Sequence, residues 1–370
     1  MENSISDFTK LITELQKQAK EEENVETKIL TDEIRQEDYY ELAKKVYEDF
    51  EVESKKRGTG YICPNFPFFN SKIEGLLPGL YFFAGRSNHG KTAFMLNLVW
   101  DYCQYEKNHL FGLYYTLDDT LYDVVPRLIS MLEDIPVSVS SKPARYEEIV
   151  AKIDTLPDEK KKEAEDFGIA LEKRRLGLNK LKKSNKHFFI IDSNTVTGLE
   201  QIIKHAKTVQ QYVKEKDPKN NIIVCIDSFS DLQYNNRRFS NADEKYRQIS
   251  LELKKFATEL NIPIFGSAHL KKRNDTKRPI LDDLKDTNRF IYDASAVFLL
   301  HNDVSENKQN ASIFWGEPPN LLPIIEINWA KNKRSSYKGN SYCYFLPEYS
   351  KTVECSLEDM KRYDSLLYSN

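Results

Sequence analysis

Short apolar runs and helically spaced apolar residues alternate along the middle of the chain. The uninterrupted apolar runs predict buried strands, at residues 80–84, 110–117, 187–192, 221–227, 262–267, 294–300, 324–329 and 341–346. Apolar residues at helical spacing predict helices at 121–132, 198–213 and 242–260. The second of these helices follows a Thr197/Glu200 capping box. This alternation predicts an α/β domain with a mostly parallel central sheet, and the consecutive strands near the C-terminal end predict an antiparallel edge.

Two strongly charged blocks lie outside this alternation. Residues 1–60 contain an amphipathic helix at 36–53, whose apolar face consists of Tyr39, Tyr40, Leu42, Val46, Tyr47 and Phe50. Residues 142–186 predict one or two solvated helices inserted into the fold. We therefore divide the chain into an N-terminal extension with a linker-type helix (1–60), an α/β domain with a charged helical insertion (61–355, insertion 137–186) and a C-terminal tail (356–370).

A glycine-rich segment separates the first predicted strand from an amphipathic stretch of helical character. Its sequence, AGRSNHGKTAF, has the spacing of a phosphate-binding P-loop, in which backbone N–H groups and a helix N-terminus surround an anion. Lys91 would reach the β- and γ-phosphates of ATP, and Thr92 would hold Mg²⁺. The predicted nucleotide-binding residues are Gly85, Arg86, Ser87, Asn88, His89, Gly90, Lys91, Thr92 and Ala93. The alternative is a glycine-rich turn with a surface lysine.

Two apolar strands end on carboxylates that complete a nucleotide site. The strand NIIVCID ends on Asp227, from which a carboxylate can bind Mg²⁺ opposite Thr92. The strand that follows the P-loop helix ends in Asp118-Asp119, and Asp118 is positioned to orient and polarise an attacking water. The alternatives are a capping aspartate at 227 and an N-cap, from Asp119 or Thr120, for the helix that follows. Asp118 can be catalytic while Asp119 caps this helix.

The composition adds few constraints on the fold and the function. The chain of 370 residues can form one large domain or two smaller ones, and its hydrophobic content of 40% is enough for a core. The net charge of −3 argues against a uniformly basic surface, although a local groove with a few Lys and Arg can still hold a polyanion. We expect no signal peptide, no membrane span and a cytoplasmic location. The five cysteines are scattered, which predicts neither a zinc site nor a disulfide framework.

Six segments, taken in order, resemble the RecA-like motor domain of DnaB-type ring helicases of bacterial and phage replication. They are EGLLPGLYFFAGRSNHGKTAF, YYTLDDTLYDVVPRLIS, NIIVCIDSFSDL, IPIFGSAHLKKRN, RPILDDLKDTNRFIYDASAVFLL and INWAKNKRSSYKGN, within roughly residues 70–350. The resemblance implies a RecA-like P-loop NTPase core, ATP and Mg²⁺ as cofactors, and a ring of six identical subunits around single-stranded DNA. It also implies a helicase that hydrolyses ATP to unwind duplex DNA during replication, with a primase or a loader as a further partner.

The resemblance assigns roles to residues outside the P-loop. His269 takes the sensor position that links the γ-phosphate to the DNA-binding loops. The residues that would face the central channel and bind DNA are Lys271, Lys272, Arg273 and the loop 283–287, which contains Lys285. The alternatives are an ordinary structural histidine and a solvated basic turn.

A basic cluster near the last predicted strands corresponds to the trans-acting finger of the family. Lys331, Lys333 and Arg334 would reach the ATP site of the neighbouring subunit, where an incoming cation stabilises the developing phosphate charge. Family members usually carry Lys-x-Arg here, so this segment leaves the finger open between Lys333 and Arg334. They also usually carry glutamate where this chain has Asp118, whose side chain is one methylene shorter. A solvated basic turn is the alternative for this segment.

Three classes of function remain open. The leading hypothesis is an ATP-driven ring helicase. The second is a RecA-like DNA-dependent ATPase without unwinding activity, such as a recombination mediator, a loader or a regulatory switch. The third is a nucleotide-dependent scaffold without catalysis, which the short Asp118 would favour. We expect no sizeable primase-like or collar domain before the motor. We also expect the linker-type helix to dock on the adjacent subunit unless its apolar face packs on its own domain.

Overall fold

The computed structural model describes residues 36–56, 60–184, 187–196, 198–234, 239–270 and 277–368. The chain divides into two compact units, Met1–Thr59 and Gly60–Asn370. The described part of the first unit is one helix, α1 (Gln36–Lys56), which confirms the helix predicted at 36–53. The side chain of Tyr39 lies outside the described residues. The apolar side chains of α1 that are more than half exposed are Tyr40, Leu42, Val46, Tyr47, Phe50 and Val52.

A ten-stranded sheet forms the centre of the second unit. Its strands are β1 (Gly79–Gly85), β2 (Leu110–Thr116), β3 (Phe188–Asp192), β4 (Asn221–Asp227), β5 (Pro263–His269), β6 (Ala296–His301), β7 (Phe314–Trp315), β8 (Leu322–Asn332), β9 (Asn340–Leu346) and β10 (Lys351–Glu354). The order is β10-β9-β8-β6-β1-β5-β4-β2-β3, and β7 pairs with β8. Strand pairs from β6 to β3 are parallel, whereas those among β6, β8, β9 and β10 are antiparallel. The mostly parallel sheet and its antiparallel edge are both as predicted.

Helices cover both faces of the parallel part of the sheet. The described helices of this unit are α2 (Pro67–Ile73), α3 (Lys91–Gln104), α4 (Leu121–Glu133), α5 (Val137–Ser141), α6 (Pro143–Ala151), α7 (Asp158–Ser184), α8 (Leu199–Lys216), α9 (Ala242–Leu260), α10 (Asn288–Asp293), α11 (Asp303–Asn307) and α12 (Leu357–Tyr368). Phe83 of β1 packs in one core with Phe94 of α3, and its neighbour Phe82 packs in a second core with Leu253 of α9. Two buried faces explain why these strands are continuous apolar runs. None of the described helices has the length and apolar character needed to cross a bilayer.

The structure differs from the prediction in two short strands and in the N-terminal cap of α8. The short strands β7 and β10 were not predicted, because two and four residues are too few to form a recognisable pattern. The predicted Thr197/Glu200 capping box is wrong for Glu200: the Gly198 N–H donates to Gln201 Oε1 at 3.1 Å, so the acceptor is one residue later. Thr197 lies outside the described residues.

The charged block 142–186 contains two helices, α6 and α7, as predicted, and α5 precedes them within the insertion 137–186. A Cβ at Gly177 of α7 would lie 2.9 Å from Ile129 Cγ2 and 2.9 Å from Glu133 Cγ, so α7 packs closely on α4. The insertion therefore forms a small core together with α4 and the turn that follows it, which the high charge content of the insertion had hidden. The buried residues of this core are Ile129, Ile135, Val139, Tyr146 and Ala170.

The C-terminal segment predicted as a tail folds as helix α12 (Leu357–Tyr368). Its Met360 and Tyr363 are buried together with Ile324 of β8 and Tyr342 of β9. The helix thus covers part of the antiparallel edge of the sheet. Leu357, Met360, Tyr363 and Leu367 recur at helical spacing, a signal that the sequence analysis did not use.

Candidate active site

The carboxyl ends of parallel strands border a cleft of about 530 Å³ at one edge of the sheet. Thr116 at the end of β2 is opposite Asp227 of β4, and Gly85 at the end of β1 is opposite His269 of β5. The cleft thereby joins residues that are distant in sequence. Its lining residues are Ser87, Asn88, Gly90, Lys91, Thr92, Ala93, Asp118, Asp119, Arg127, Val137, Asp227, His269, Phe345, Pro347 and Ser350.

The backbone of the glycine-rich loop has the features that an anion cradle requires. Gly90 has φ +82°, and a Cβ at this position would lie 2.6 Å from Ile325 Cδ1. The left-handed conformation therefore favours glycine, and a larger residue would also displace the Ile325 methyl group. Asn88 also has a left-handed φ of 65°. Because α3 begins at Lys91, the positive end of its dipole lies at the cleft, and the site fits the phosphates of a nucleotide.

Lys91 is almost fully buried in the cleft. Its Nζ donates to the carbonyl oxygen of Arg86 at 3.0 Å. Burial lowers the pKa of Lys91 to about 8, although the charges of Asp227 and Asp118 act in the opposite direction. A nearby phosphate would stabilise the ammonium form, because opposite charge offsets the cost of desolvation. The environment of Lys91 therefore favours an anionic ligand.

Asp227 is buried at the end of β4, and both of its carboxylate oxygens accept hydrogen bonds. The Tyr114 hydroxyl donates to Oδ2 at 3.0 Å, and the Ser267 hydroxyl donates to Oδ1. These two donors fix the orientation of the carboxylate, as outer groups do around a metal ligand. The sequence analysis did not identify Tyr114 or Ser267. The only signal was a polar atom inside each of two apolar strands.

Asp118 and His269 face each other in the cleft. His269 Nε2 lies 3.8 Å from Asp118 Oδ2, and their side chains are 41% and 63% exposed. The two residues come from the ends of β2 and β5, which the sheet order separates by β4. Asp118 is thus open to water, as a residue that orients a water nucleophile must be.

Asp119 forms an ion pair instead of capping the helix that follows it. Its Oδ2 lies 2.8 Å from Nη1 of Arg127 on α4. Burial raises the pKa of Asp119 above its ordinary value, against the opposing effect of Arg127. The N-cap of α4 is Thr120, whose N–H and hydroxyl donate to Asp123 Oδ2 at 3.2 and 2.7 Å. The predicted capping role of Asp119 is therefore wrong, and that of Thr120 is confirmed.

Arg127 is a cleft residue that the sequence analysis missed. It lies on α4, eight residues after Asp119, and its guanidinium is one-third exposed. Helical spacing brings its side chain back over the start of α4, toward the ends of the strands. The sequence contained no signal beyond one arginine in a mostly apolar helix. Arg127 provides the cleft with a cation in addition to Lys91.

Three predicted loop residues lie behind the cleft rather than along it. Gly85 ends β1, and a Cβ there would lie 2.9 Å from the Leu300 carbonyl oxygen. The Arg86 guanidinium lies 3.1 Å from a carboxylate oxygen of Glu306, and His89 Nε2 lies 2.9 Å from the other. Arg86 and His89 therefore support the loop through their side chains, and only their backbone groups remain for a phosphate.

The predicted finger cluster lies at the opposite end of the sheet from the cleft of the same subunit. Arg334 is bound within its own subunit: Nε donates to the Tyr81 hydroxyl at 3.1 Å, and Nη2 donates to the Pro78 carbonyl oxygen and to Ser295 Oγ, the latter at 3.1 Å. Arg334 is therefore held by three groups.

The two lysines of the cluster differ from Arg334. Lys331 and Lys333 both donate to the Tyr292 carbonyl oxygen, at 3.1 and 3.0 Å, and Lys331 also donates to the Ile291 carbonyl oxygen. Burial and the neighbouring Lys333 lower the pKa of Lys331 to about 8. Lys333 is exposed, and it is the residue of the three that faces solvent most.

The predicted DNA-binding residues fall largely outside the described part of the chain. This applies to Lys271, Lys272 and Arg273, and to the side chain of Lys285, whose backbone belongs to a 3-10 segment, Leu281–Thr287. Asp283 was expected to face the channel, but this prediction is wrong. Its side chain is buried and accepts the Ile280 N–H at 2.8 Å, because it caps the start of the segment.

Comparison with protein families and curated proteins gives a consistent result. Residues 62–354 match the model of the DnaB-like helicase C terminal domain. A "Probable replicative DNA helicase" of Trieres chinensis is 26% identical over 341 residues, which are 89% of this chain and 66% of that protein. The "Replicative DNA helicase DnaB" of Mycoplasma pneumoniae is 25% identical over 239 residues, which are 61% of this chain and 43% of that protein. The chain thus spans less than two thirds of the length of these relatives.

Two solved structures share the fold. One is an isolated ATPase domain, which superposes with a TM-score of 0.62 at 24% identity, covering 85% of this chain and 98% of that one. The other is a DnaB-like replicative helicase, solved in a study of its interactions with primase, which gives a TM-score of 0.60 at 24% identity and covers 85% of this chain and 66% of that one. The mixed sheet described above is therefore the RecA-like fold of these ATPase domains.

Proposed function

Because this chain belongs to the DnaB-like helicase C-terminal domain family, we propose that it is an ATP-driven helicase that moves along single-stranded DNA and unwinds duplex DNA during replication. The observation that carries the proposal is the cleft in which the P-loop meets Asp118, Asp227 and His269. The names of the relatives from Trieres chinensis and Mycoplasma pneumoniae support it. In this proposal the protein acts in the cytoplasm, where a replicative helicase meets its DNA.

In this proposal, different residues of the cleft bind the phosphates, bind Mg²⁺ and activate the water. Lys91 and the loop N–H groups bind the phosphates, and Thr92 and Asp227 would hold Mg²⁺. When bound, Mg²⁺ neutralises charge on the β- and γ-phosphates. Asp118 orients the attacking water and takes up its proton.

His269 and Arg127 complete the subunit's own contribution. His269 contacts Asp118 and stands at the end of β5, directly before the segment with the predicted DNA-binding residues. It therefore connects the water-binding carboxylate to that segment. Arg127 adds a second positive charge to the lining of the cleft, so that two cations balance the phosphates.

We assign the trans-acting cation to Lys333 rather than Arg334. Arg334 is held by Tyr81, Pro78 and Ser295 of its own subunit, whereas Lys333 is exposed. A ring of identical subunits, six in our proposal, brings Lys333 and Lys331 to the neighbour's phosphates. The exposed apolar side chains of α1 suit docking on that neighbour.

Subunit mixing tests this shared site. We expect Lys333→Ala to lower ATP hydrolysis about 10- to 100-fold, the cost of one lost hydrogen bond to a charged group. An equimolar mixture of Lys333→Ala and Lys91→Ala should exceed the summed activity of its components, because some interfaces then contain both intact lysines. Phosphate release, measured on the mixture and on each variant alone, provides the comparison.

Lys338→Ala is the matched control, because Lys338 is also an exposed lysine, in the segment between β8 and β9. This variant should retain normal hydrolysis. If the mixture is no more active than its components while Lys338→Ala is normal, Lys333 does not act across subunits.

DNA contact in this proposal comes from Lys271, Lys272, Arg273 and Lys285. Lysine and arginine contacts to phosphates depend on salt concentration and do not read base sequence, as a translocating motor requires. A primase or a loader is a further proposed partner, because one structural neighbour was solved in a study of its interactions with primase.

One observation favours a second candidate function, a DNA-dependent ATPase that does not unwind. The predicted water-binding residue is an aspartate, and its Oδ2 lies 3.8 Å from Nε2 of His269, beyond hydrogen-bond distance. The carboxylate therefore has little to hold it in place, which would slow hydrolysis. Strand displacement distinguishes the two functions.

A further inference from the structure

Three apolar residues in the lining of the cleft have no role in the proposed hydrolysis. They are Val137, Phe345 and Pro347, which together we call the apolar end of the cleft. Val137 begins α5 of the charged insertion, Phe345 lies on β9, and Pro347 begins the turn between β9 and β10. Most of the other lining residues are polar or charged. The cleft therefore has a surface whose chemistry does not suit phosphates or a metal ion.

The turn that carries Pro347 is bound to the helix that follows the P-loop. Asn97 of α3 donates through Nδ2 to the Ala93 carbonyl oxygen at 2.7 Å and to the Ser350 carbonyl oxygen at 2.9 Å. Its Oδ1 accepts the Thr352 N–H at 3.1 Å. The Asn97 side chain is buried, so water does not compete for these bonds. Asn97 thus fixes the turn about one helical turn from the P-loop.

Phe345 lies directly against the backbone of the P-loop. A Cβ placed on Gly90 would lie 3.4 Å from Phe345 Cε1, which is ordinary contact distance. The ring is buried, with 8% of the residue exposed. The apolar end therefore begins at the loop itself.

An ion pair joins the two segments that form the apolar end. Lys351 Nζ, at the start of β10, lies 2.6 Å from Oδ1 of Asp134, three residues before Val137. Both side chains are at least one-third exposed, so the pair adds little to the stability of the fold. Its geometric effect is to tie the turn between β9 and β10 to the segment that leads into α5.

The order of groups in ATP indicates which part of the molecule meets the apolar end. The N–H groups of a P-loop hold the α- and β-phosphates, and the γ-phosphate lies toward the groups that bind the metal and orient the water. In this cleft those groups are Asp227 and Asp118, at the ends of β4 and β2. The base is joined through the ribose to the α-phosphate, so it leaves the loop at the other end of the triphosphate. A flat, largely apolar ring gains free energy when apolar side chains cover it.

We propose that the apolar end binds the base of the nucleotide, with contacts from Val137, Phe345 and Pro347. Asn97 and the Asp134–Lys351 pair are positioning groups, because they hold the segments that carry these side chains. The inference rests on the proposed function. It gives the charged insertion a part in nucleotide binding, through Val137.

The first test compares a nucleotide with a ligand that has the phosphates alone. Dissociation constants of ATPγS and of inorganic tripolyphosphate are measured by calorimetry with the full-length protein and Mg²⁺. We expect the double variant Val137→Ala/Pro347→Ala to weaken ATPγS binding at least about tenfold, because one methylene lost from an apolar pocket already costs about that much. Tripolyphosphate has no base, so its dissociation constant should stay within about twofold of the wild type.

The double variant Pro157→Ala/Val353→Ala is the matched control. It makes the same two chemical changes at an exposed proline of the insertion and an exposed valine of β10, neither of which lines the cleft. Both dissociation constants should be unchanged in this variant. Thermal denaturation checks that each variant keeps its fold.

The second test locates the base directly. The wild-type protein is irradiated with 2-azido-ATP, whose reactive group is on the base, and the labelled tryptic peptides are sequenced. We expect label in residues 128–145, which contain Val137 and stay joined because Lys142 precedes a proline, or in residues 339–351, which contain Phe345 and Pro347. Excess ATP should prevent the labelling.

The outcomes separate this inference from the proposed function. If Val137→Ala/Pro347→Ala weakens both ligands by the same factor, the apolar end only supports the loop and the inference is wrong. Unchanged ATPγS affinity in that variant, or ATP-protected label outside the two peptides, would also overturn it. If the wild type binds neither ATPγS nor tripolyphosphate, the proposed function itself is wrong.

Discussion

Replacing Lys91 by alanine is expected to lower ATP hydrolysis by about 10³-fold, at the upper end of the cost of removing one stabilising group from a transition state. Lys91 is buried in the cleft, close enough to Asp227 and Asp118 for their charges to affect its pKa. Without its ammonium, the phosphates would meet three carboxylates with Arg127 as the remaining cation from the described lining of the cleft. Steady-state phosphate release measures the effect.

The fold of the Lys91→Ala variant should be intact. The side chain makes one hydrogen bond, to the Arg86 carbonyl oxygen, and its charge is costly to bury, so its removal leaves little unsatisfied. Circular dichroism and the melting temperature provide the control. Normal hydrolysis in a correctly folded variant would mean that the P-loop is not a catalytic phosphate site.

Replacing Asp118 by asparagine is expected to lower turnover at least about 10²-fold while nucleotide affinity is retained. The amide has nearly the shape of the carboxylate, but it cannot accept the proton of an attacking water. Its exposure and its distance of 3.8 Å from His269 leave room for that water. Turnover and the dissociation constant of ATPγS are the two measurements.

Asp119→Asn is the matched control for this prediction. It makes the same change one residue later, at a carboxylate that is paired with Arg127 at 2.8 Å. We expect a smaller loss, less than about tenfold, because the amide oxygen can still accept from Arg127. If Asp118→Asn stays within a factor of two of the wild type and Asp119→Asn does not, Asp119 is the carboxylate that positions the water.

The parts of the fold that were predicted correctly have a local sequence pattern. Continuous apolar runs identified β1, β2, β4 and β5 to within two residues, because these strands are buried on both faces. The P-loop was equally clear, because Gly90 and Lys91 occupy fixed positions relative to a strand and a helix. Once the strands were known to be parallel, Asp118, Asp227 and His269 had to lie at the same edge.

The parts that were missed depend on contacts between distant segments. Arg127 enters the cleft because α4 folds back over the strand ends, and Ser267 reaches Asp227 from another strand. Glu306 contacts a loop more than two hundred residues earlier. No periodicity or spacing within the chain could indicate such contacts.

The basic cluster of Lys331, Lys333 and Arg334 likewise has contacts that its local sequence does not predict. Sequence alone left the trans-acting finger open between Lys333 and Arg334, because both are cations within one short segment. The two differ in their partners: Arg334 donates to Tyr81, Pro78 and Ser295, whereas the Lys333 side chain donates to the Tyr292 carbonyl oxygen, and this difference supports the proposed assignment to Lys333. The Arg334 guanidinium is bound inside the subunit, whereas the side chain of Lys333 is exposed.

Strand displacement on a forked DNA tests the central claim most directly. The fork carries one labelled strand and two single-stranded arms, and release of the labelled strand is followed over time with the full-length protein, Mg²⁺ and ATP. We predict strand release that requires ATP, that is absent with ATPγS, and that is lost in Lys91→Ala. Hydrolysis of ATP in the presence of this DNA without any strand release would contradict the helicase function and leave a DNA-dependent ATPase in its place.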